Sequence, residues 1–400
     1  MSKRPRTAAP KRRSRGSVPL PRKTGRKSKA VSETERRLDE LWAWFEGSSR
    51  PSAAQMDEWL DALLALPTEA TSWSEVLHAC AEKTHAELPA VFRKIAAAVP
   101  HTRETKMSFF YWAAAEEFAR HGLSAVLPEV ASGFMRLDER TYDADALAHL
   151  QDMLLAERLE TEALALAKRF LSIVSGDGGL MPYAAIEQCN LVFQLRAGMA
   201  LRGALEASTS PGAVAQALRD GLEEDIEDEA IDRAARVACD AADPAWTRAC
   251  FNLVTGDIRE SEQAWRDCLR LYDALLRVAR EAWRSDGVPP GWAFVALERL
   301  LASVYRSQGH NESPPRGDGK TTREPRTGNL LDYLNASGLE ERIARACPDV
   351  LGVNVAGARI LVDAHALLLD FAARHALVAD RAADANHAEL ARLRRVLVSG

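Results

Sequence analysis

The chain is 400 residues long and 47% hydrophobic, enough for two compact domains or one elongated helical array with a sizeable core. Its formal net charge of −5 conceals a division: twelve of the 52 Lys and Arg lie in residues 1–29, which hold no acid, so the remaining 40 face all 57 Asp and Glu at a net −17. With no run of about 18 apolar residues and no apolar stretch behind the charged N-terminus, the pattern excludes a transmembrane helix and a secretory signal, and a cytoplasmic protein is expected unless a dedicated machine exports it.

Residues 1–30 read MSKRPRTAAPKRRSRGSVPLPRKTGRKSKA. Like charges, interrupted by Pro5, Pro10, Pro19 and Pro21 with almost no large apolar side chain, predict a disordered arm. Ser32 with Glu35 makes a capping box for a helix through Leu38, Leu41, Trp42 and Phe45. Further helices are expected over 55–66, from Ser72 or Ser74 through His85, over 88–99 and over 104–120, with Pro51, Pro67, Pro89 and Pro100 as punctuation. Phe109, Phe110, Tyr111 and Trp112 in succession cover more than one face, so their helix should be enclosed by neighbours. Gly122 ends it, and a helix over 123–137 follows.

Residues 142–174 form the clearest helical hairpin. Leu147, Leu150, Leu154 and Leu155, then Leu164, Ala167, Phe170 and Leu171, recur at helical steps on either side of a break at 156–161 that holds no Pro or Gly. Beyond the SGDGGL loop at 175–180, helices are expected over 183–205, 213–241, 244–254, 258–285 and 292–307. Residues 308–328 hold only polar residues, Gly and Pro, and predict a flexible loop or linker. Helices over 330–346, 356–375 and 387–398 close the chain, and no period-two strand is evident. The expected fold is all-α, an irregular array or solenoid of antiparallel helix pairs: a basic arm (1–30), a helical-repeat-like body (31–307), the loop or linker (308–328), and C-terminal helices packed on the body (329–400). The six Cys, one to a helix without a C-x-x-C spacing, are expected to be reduced and buried.

Residues 150–173 resemble a tetratricopeptide repeat. The resemblance places Leu150 on that family's first-helix Leu, Leu154 on the aromatic position four later, Ala163 on the small residue of the second helix and Leu171 on its closing apolar position. Gln151 stands where the family has a small residue, and Arg158 where it has the turn Gly. Residues 300–310 and 256–271 echo a first and a second helix without proper partners, so the likeness covers about one unit.

Few residues suggest chemistry. RGDGKTT at 316–322 has Pro314 where a phosphate-binding loop needs its first Gly, and no strand before it. His78 and His85 share a helix face, but Cys80 points about 160° away, so surface and core residues are expected rather than a zinc site. Asp363, His365 and Asp370 lie on one helix without a nucleophile, and His365 reads as a packed histidine. Glu223, Glu224, Asp225, Glu227, Asp228, Glu229 and Asp232 leave Leu222, Ile226 and Ala230 in helical register. They read as a solvated face better suited to docking cations, including the chain's own arm, than to catalysis. No catalytic residue, metal ligand or cofactor is expected.

The arm is the strongest functional feature. Lys3, Arg4, Arg6, Lys11, Arg12, Arg13, Arg15, Arg22, Lys23, Arg26, Lys27 and Lys29 favour any polyanion through counterion release, and with no aromatics to stack on bases they imply no sequence recognition. The expected function is a non-enzymatic scaffold or adaptor that binds a protein partner, with the arm on nucleic acid or another polyanion. The Arg- and Ala-rich body points to a GC-rich bacterial genome. The alternative is accordingly a bacterial effector or defence-system component whose tail is an address or tether, and an enzyme of unknown type comes third.

Overall fold

Ser52 shows how this chain starts a helix: its Oγ accepts the Gln55 backbone N–H at 3.3 Å while the Gln55 side chain accepts the Ser52 N–H at 2.9 Å. The computed structural model describes residues 33–138, 141–177, 182–222, 226–240, 244–251, 262–285, 287–307, 339–349 and 352–399. The helices are α1 (Glu33–Gly47), α2 (Ala53–Leu64), α3 (Trp73–Lys83), α4 (Leu88–Ala98), α5 (Met107–Arg120), α6 (Leu127–Phe134), α7 (Ala144–Ala156), α8 (Glu160–Asp177), α9 (Pro182–Ala207), α10 (Pro211–Gly221), α11 (Asp228–Cys239), α12 (Pro244–Phe251), α13 (Glu262–Ser285), α14 (Pro290–Ser307), α15 (Leu339–Ala346), α16 (Val355–Arg374) and α17 (Asp380–Ser399). Among the described residues the strand content is one antiparallel ladder, β1 (Pro348–Asp349) with β2 (Gly352–Val353). Two residues a strand cannot carry a period-two pattern, and the fold is all-α.

Three helices end alike. After α5, α7 and α16 a residue takes the left-handed conformation, Gly122 (φ 68°), Arg158 (φ 60°) or Ala376 (φ 52°). The next N–H then reaches back across the last turn: Leu123 to Phe118 O at 2.7 Å, Leu159 to Leu154 O at 2.8 Å, Leu377 to Ala372 O at 2.8 Å. Each leucine packs on the core. The hairpin expected at 142–174 is α7 and α8 joined by Glu157–Leu159, with Asp143 capping α7 through the N–H groups of Asp145 and Ala146, and with Ala163 fully buried.

Through α11 each helix packs on the next or the next but one in the chain (α1 on α2, α2 on α4, α3 on α4 and α5, α5 on α6 and α7, α6 and α7 on α8, then α8 to α11 in succession), after which α14 returns against α9 and α16 against α7 and α14. Trp292 fastens this return to the hairpin turn. Its Nε1 donates to Leu155 O at 2.6 Å, its backbone N–H donates to Glu160 Oε2 at 2.8 Å, and the Arg158 guanidinium lies over its ring at 4.9 Å. One core runs from Leu41 to Leu377. Helix α16 buries Leu361, Leu368 and Phe371 in it, and Val362 and Leu369 in a second cluster with Leu339, Ile343, Leu390 and Leu393. Burial on both sides is why α16 is apolar except along one narrow stripe, which carries Arg359, Asp363, Asp370 and Arg374. Helix α5, packed by α3, α6 and α7, buries Phe110 and Tyr111 and leaves Phe109 outside.

Some expectations need correction. The helix expected over 213–241 is two, because α10 ends at Gly221 and Leu222 is extended. Asp228 and Glu229 then occupy the first turn of α11, where the helix dipole favours acids. Cys80 and Cys250 are buried, but Cys189 is exposed and Cys347 lies in the turn before β1 rather than on a helix. Residues 175–177 belong to α8 rather than to a loop. The arm, Ser32 and the expected loop or linker lie outside the described residues. Among those described, no helix is long and apolar enough to cross a membrane.

Candidate functional site

Gly198 and Gly291 set the site. A Cβ on Gly198 would lie 2.4 Å from Pro290 O and one on Gly291 2.6 Å from Leu195 O, so α9 and α14 cross backbone against backbone. One turn before Gly198, Gln194 Nε2 donates to Glu298 Oε2. A polar cleft of about 490 Å³ between α7, α9, α14 and α16 and an apolar groove of about 360 Å³ between α9, α13 and α14 meet at this contact, and Asn190, Gln194 and Glu298 border both.

In the cleft, Gln151 and Gln188 are 3% and 7% exposed and exchange two amide hydrogen bonds, at 2.5 and 2.9 Å. Arg299 pairs with Asp152 at 2.6 Å, and Asn354 Nδ2 donates to the same carboxylate at 2.6 Å. The Asn354 Oδ1 accepts the Gly357 N–H at 2.9 Å and so caps α16. Burial raises the Glu298 carboxyl above the usual carboxylate range, against the opposing charge of Arg299. Ser303 Oγ donates to Leu300 O at 2.7 Å. The groove has Leu275, Leu276, Ala279, Phe294 and Leu297 along it, with Phe193 (39% exposed) and Tyr272 (45%) standing over it. Ile186, 58% exposed, continues the α9 stripe of Asn190 and Phe193.

The sequence-predicted residues lie elsewhere. The twelve arm cations and Glu223, Glu224 and Asp225 fall outside the described residues. Glu227 immediately precedes α11, and Arg219 of α10 pairs with Asp228 at 2.6 Å and Asp232 at 2.7 Å, clamping the two helices. None of these described acids borders the cleft or the groove. Two features legible in the sequence lie at the site without having marked it: Gln151, a carboxamide at a position the repeat pattern keeps small, and Gly198, a glycine inside a helix.

His78 and His85 both reach α5. The buried Glu117 carboxylate bonds His78 Nδ1 at 2.5 Å, Arg120 at 2.9 Å and His121 Nε2 at 3.2 Å, and His85 stacks on His121 at 3.8 Å. The bond to Glu117 raises the His78 pKa, whereas burial lowers that of His121. Cys80 faces Met56 at 3.4 Å, its thiol pushed up to about 12 by burial. His365 is fully buried, with Nδ1 at 2.6 Å from Leu361 O, while Asp363 pairs with Arg394 at 2.7 Å and Asp370 with His387 at 3.2 Å. Among the described residues no group of three or more His, Cys, Asp or Glu side chains could hold a metal ion. Set against family models, curated proteins and solved structures, the chain finds no match.

Proposed function

We propose that the protein is a non-enzymatic helical scaffold whose groove between α9, α13 and α14 binds an apolar segment of a protein partner, while the arm of residues 1–29 holds the pair on nucleic acid or another polyanion. The groove carries this reading. Phe193 and Tyr272 expose aromatic surface beside Leu276 and Leu297, and a contiguous apolar face of this kind gains free energy only when something covers it. The cleft beside it favours binding over catalysis. Asp152 is fully engaged by Arg299 and Asn354, Ser303 donates to its own helix, and no histidine lines it among the described residues.

The test places p-benzoylphenylalanine at position 272 of the full chain, identifies the protein that crosslinks, and compares its affinity for wild type, Phe193→Asp and Tyr272→Asp. Both aspartates should weaken binding about tenfold or more, the scale of a lost interface anchor, with melting midpoints unchanged. Equal affinity for all three removes the groove. For the arm, fluorescence anisotropy with nonspecific DNA and RNA at two salt concentrations should show binding that deletion of residues 1–29 abolishes. Affinity that survives the deletion removes the arm.

A further inference from the structure

We propose that the polar cleft binds a neutral small molecule by an amide edge, an N–H and a C=O held cis to each other as in a primary carboxamide or a cyclic amide. This site is separate from the groove and stands without the scaffold reading.

The buried carboxamide pair carries the argument. Gln151 comes from α7 and Gln188 from α9, both are more than nine-tenths buried, and both border the cleft. Each amide uses one N–H and one lone pair on the other, at 2.5 and 2.9 Å, and keeps a second N–H and a second lone pair. Two reciprocal bonds close a ring and bring the planar amides toward one plane. At each bond an acceptor oxygen then stands beside a donor nitrogen, and the spare lone pair of the one and the spare N–H of the other leave by the same edge. A cis amide matches that edge, its own oxygen and nitrogen lying about 2.3 Å apart by the amide bond lengths. A trans amide turns its N–H and C=O to opposite sides and can make only one of the two bonds. The balance of one donor to one acceptor also disfavours ions: an ammonium leaves the N–H without an acceptor, and a carboxylate leaves the oxygen without a donor.

The rest of the cleft suits a neutral ligand. Leu191 of α9, Val295 of α14 and Leu361 of α16 are buried and border it, offering apolar surface to the body of a ring. Asp152 is matched by Arg299 at 2.6 Å and by Asn354, so no ion pair need be opened for a molecule without charge. A volume of about 490 Å³ lies within the range of small-molecule sites.

The probes for calorimetric titration of the full chain are nicotinamide, a primary carboxamide, and uracil, a cyclic amide. The controls are nicotinamide methylated on its amide nitrogen, which is trans about that bond, and nicotinate, which has no N–H. One or both cis amides should bind at a single site, and the controls should bind at least about tenfold more weakly than nicotinamide, the scale of one buried hydrogen bond left unmade. Tighter binding of nicotinamide assigns a carboxamide ligand, and tighter binding of uracil assigns a ring amide. Gln151→Met combined with Gln188→Met replaces both carboxamides by apolar side chains of similar shape, which is close to neutral for folding, and should remove the binding. If that variant does not fold, isotope-labelled wild type decides: the side-chain amide resonances of Gln151 and Gln188 should shift with the tighter-binding cis amide and stay in place with the methylated control. Phe193→Asp should leave binding of that cis amide unchanged, which separates this site from the groove. No binding of either cis amide, equal binding of a control, affinity retained by the double variant, or unmoved glutamine resonances overturns the proposal.

Discussion

Gly198→Ala puts a methyl group 2.4 Å from Pro290 O and 2.7 Å from Gly291 Cα. Non-bonded contacts are comfortable only from about 3.5 Å, so α9 and α14 must part by about 1 Å. The obstructing atoms are backbone and cannot swing aside. Overpacking of this kind costs about 1–3 kcal/mol, against which replacing a mid-helix Gly by Ala returns about 1 kcal/mol of helix propensity. The net expectation is a loss of up to about 2 kcal/mol. Gly203 supplies the control, since it lies on the same helix with nothing within 4 Å of its Cβ position. Gly203→Ala therefore keeps the propensity gain alone and should stabilise by about 0.5–1 kcal/mol. Urea unfolding followed by far-ultraviolet circular dichroism should give equal slopes with midpoints displaced in opposite directions. If both variants move the same way, Gly198 is not there for a close approach. Gln194 lies one turn away, so the same parting of helices should pull it off Glu298.

Ala376→Gly removes a Cβ from a left-handed residue and should raise the urea midpoint by about 0.5–1 kcal/mol in stability, because the Arg248 bond to Ala376 O is to backbone and survives; an unchanged midpoint would mean the conformation costs nothing. Ala163→Trp overfills the fully buried contact of α8 and should destabilise by about 1–3 kcal/mol; an unaltered melting midpoint would deny that close packing. Burial pushes His365 down to about 4, so between pH 6.5 and 4 the unfolded chain takes up a proton that the folded one refuses, and wild type should lose up to about 3 kcal/mol there that His365→Leu does not. His78, raised by its bond to Glu117, has the opposite slope, its stabilisation being present below about pH 6.5 and lost as pH rises through its folded value. Changing Glu223, Glu224, Asp225, Glu227, Asp228 and Glu229 to Gln or Asn should tighten DNA or RNA binding at low salt if these acids mask the arm; anisotropy identical to wild type excludes masking.

What could be read from the sequence was local. Gly122, Pro100 and the leucine spacing of 142–174 marked helix ends and faces because each acts within a turn or two of itself. The break at Leu222 was missed because Leu222, Ile226 and Ala230 keep a helical spacing, while the clamp that holds α10 and α11 together comes from Arg219 and shows in no periodicity. Helix α17 begins at Asp380 because Ala383 supplies its buried face there, and alanine leaves a faint apolar signal. The cleft was invisible for a stronger reason. Trp292 and Glu160 lie 132 residues apart, and Asn354 and Asp152 lie 202 apart. No window of sequence contains both halves of either contact.

Those long-range contacts also explain why the cleft and groove differ in character. A half-buried Asp152 is tolerable because Arg299 arrives from α14 and Asn354 from the start of α16, and Asn354 serves this carboxylate with its amide nitrogen while its oxygen caps α16. Helices α7, α14 and α16 each complete the other's polar groups, and displacing any one strands a donor or acceptor at a cost of about 1–3 kcal/mol. The cleft is thereby held to one geometry. The groove rests on Leu275, Leu276, Phe294 and Leu297, whose contacts are non-directional and survive small shifts of α13 against α14. A fixed polar site fixes orientation at little cost in ordering, and an adaptable apolar one supplies area to partners of varied shape.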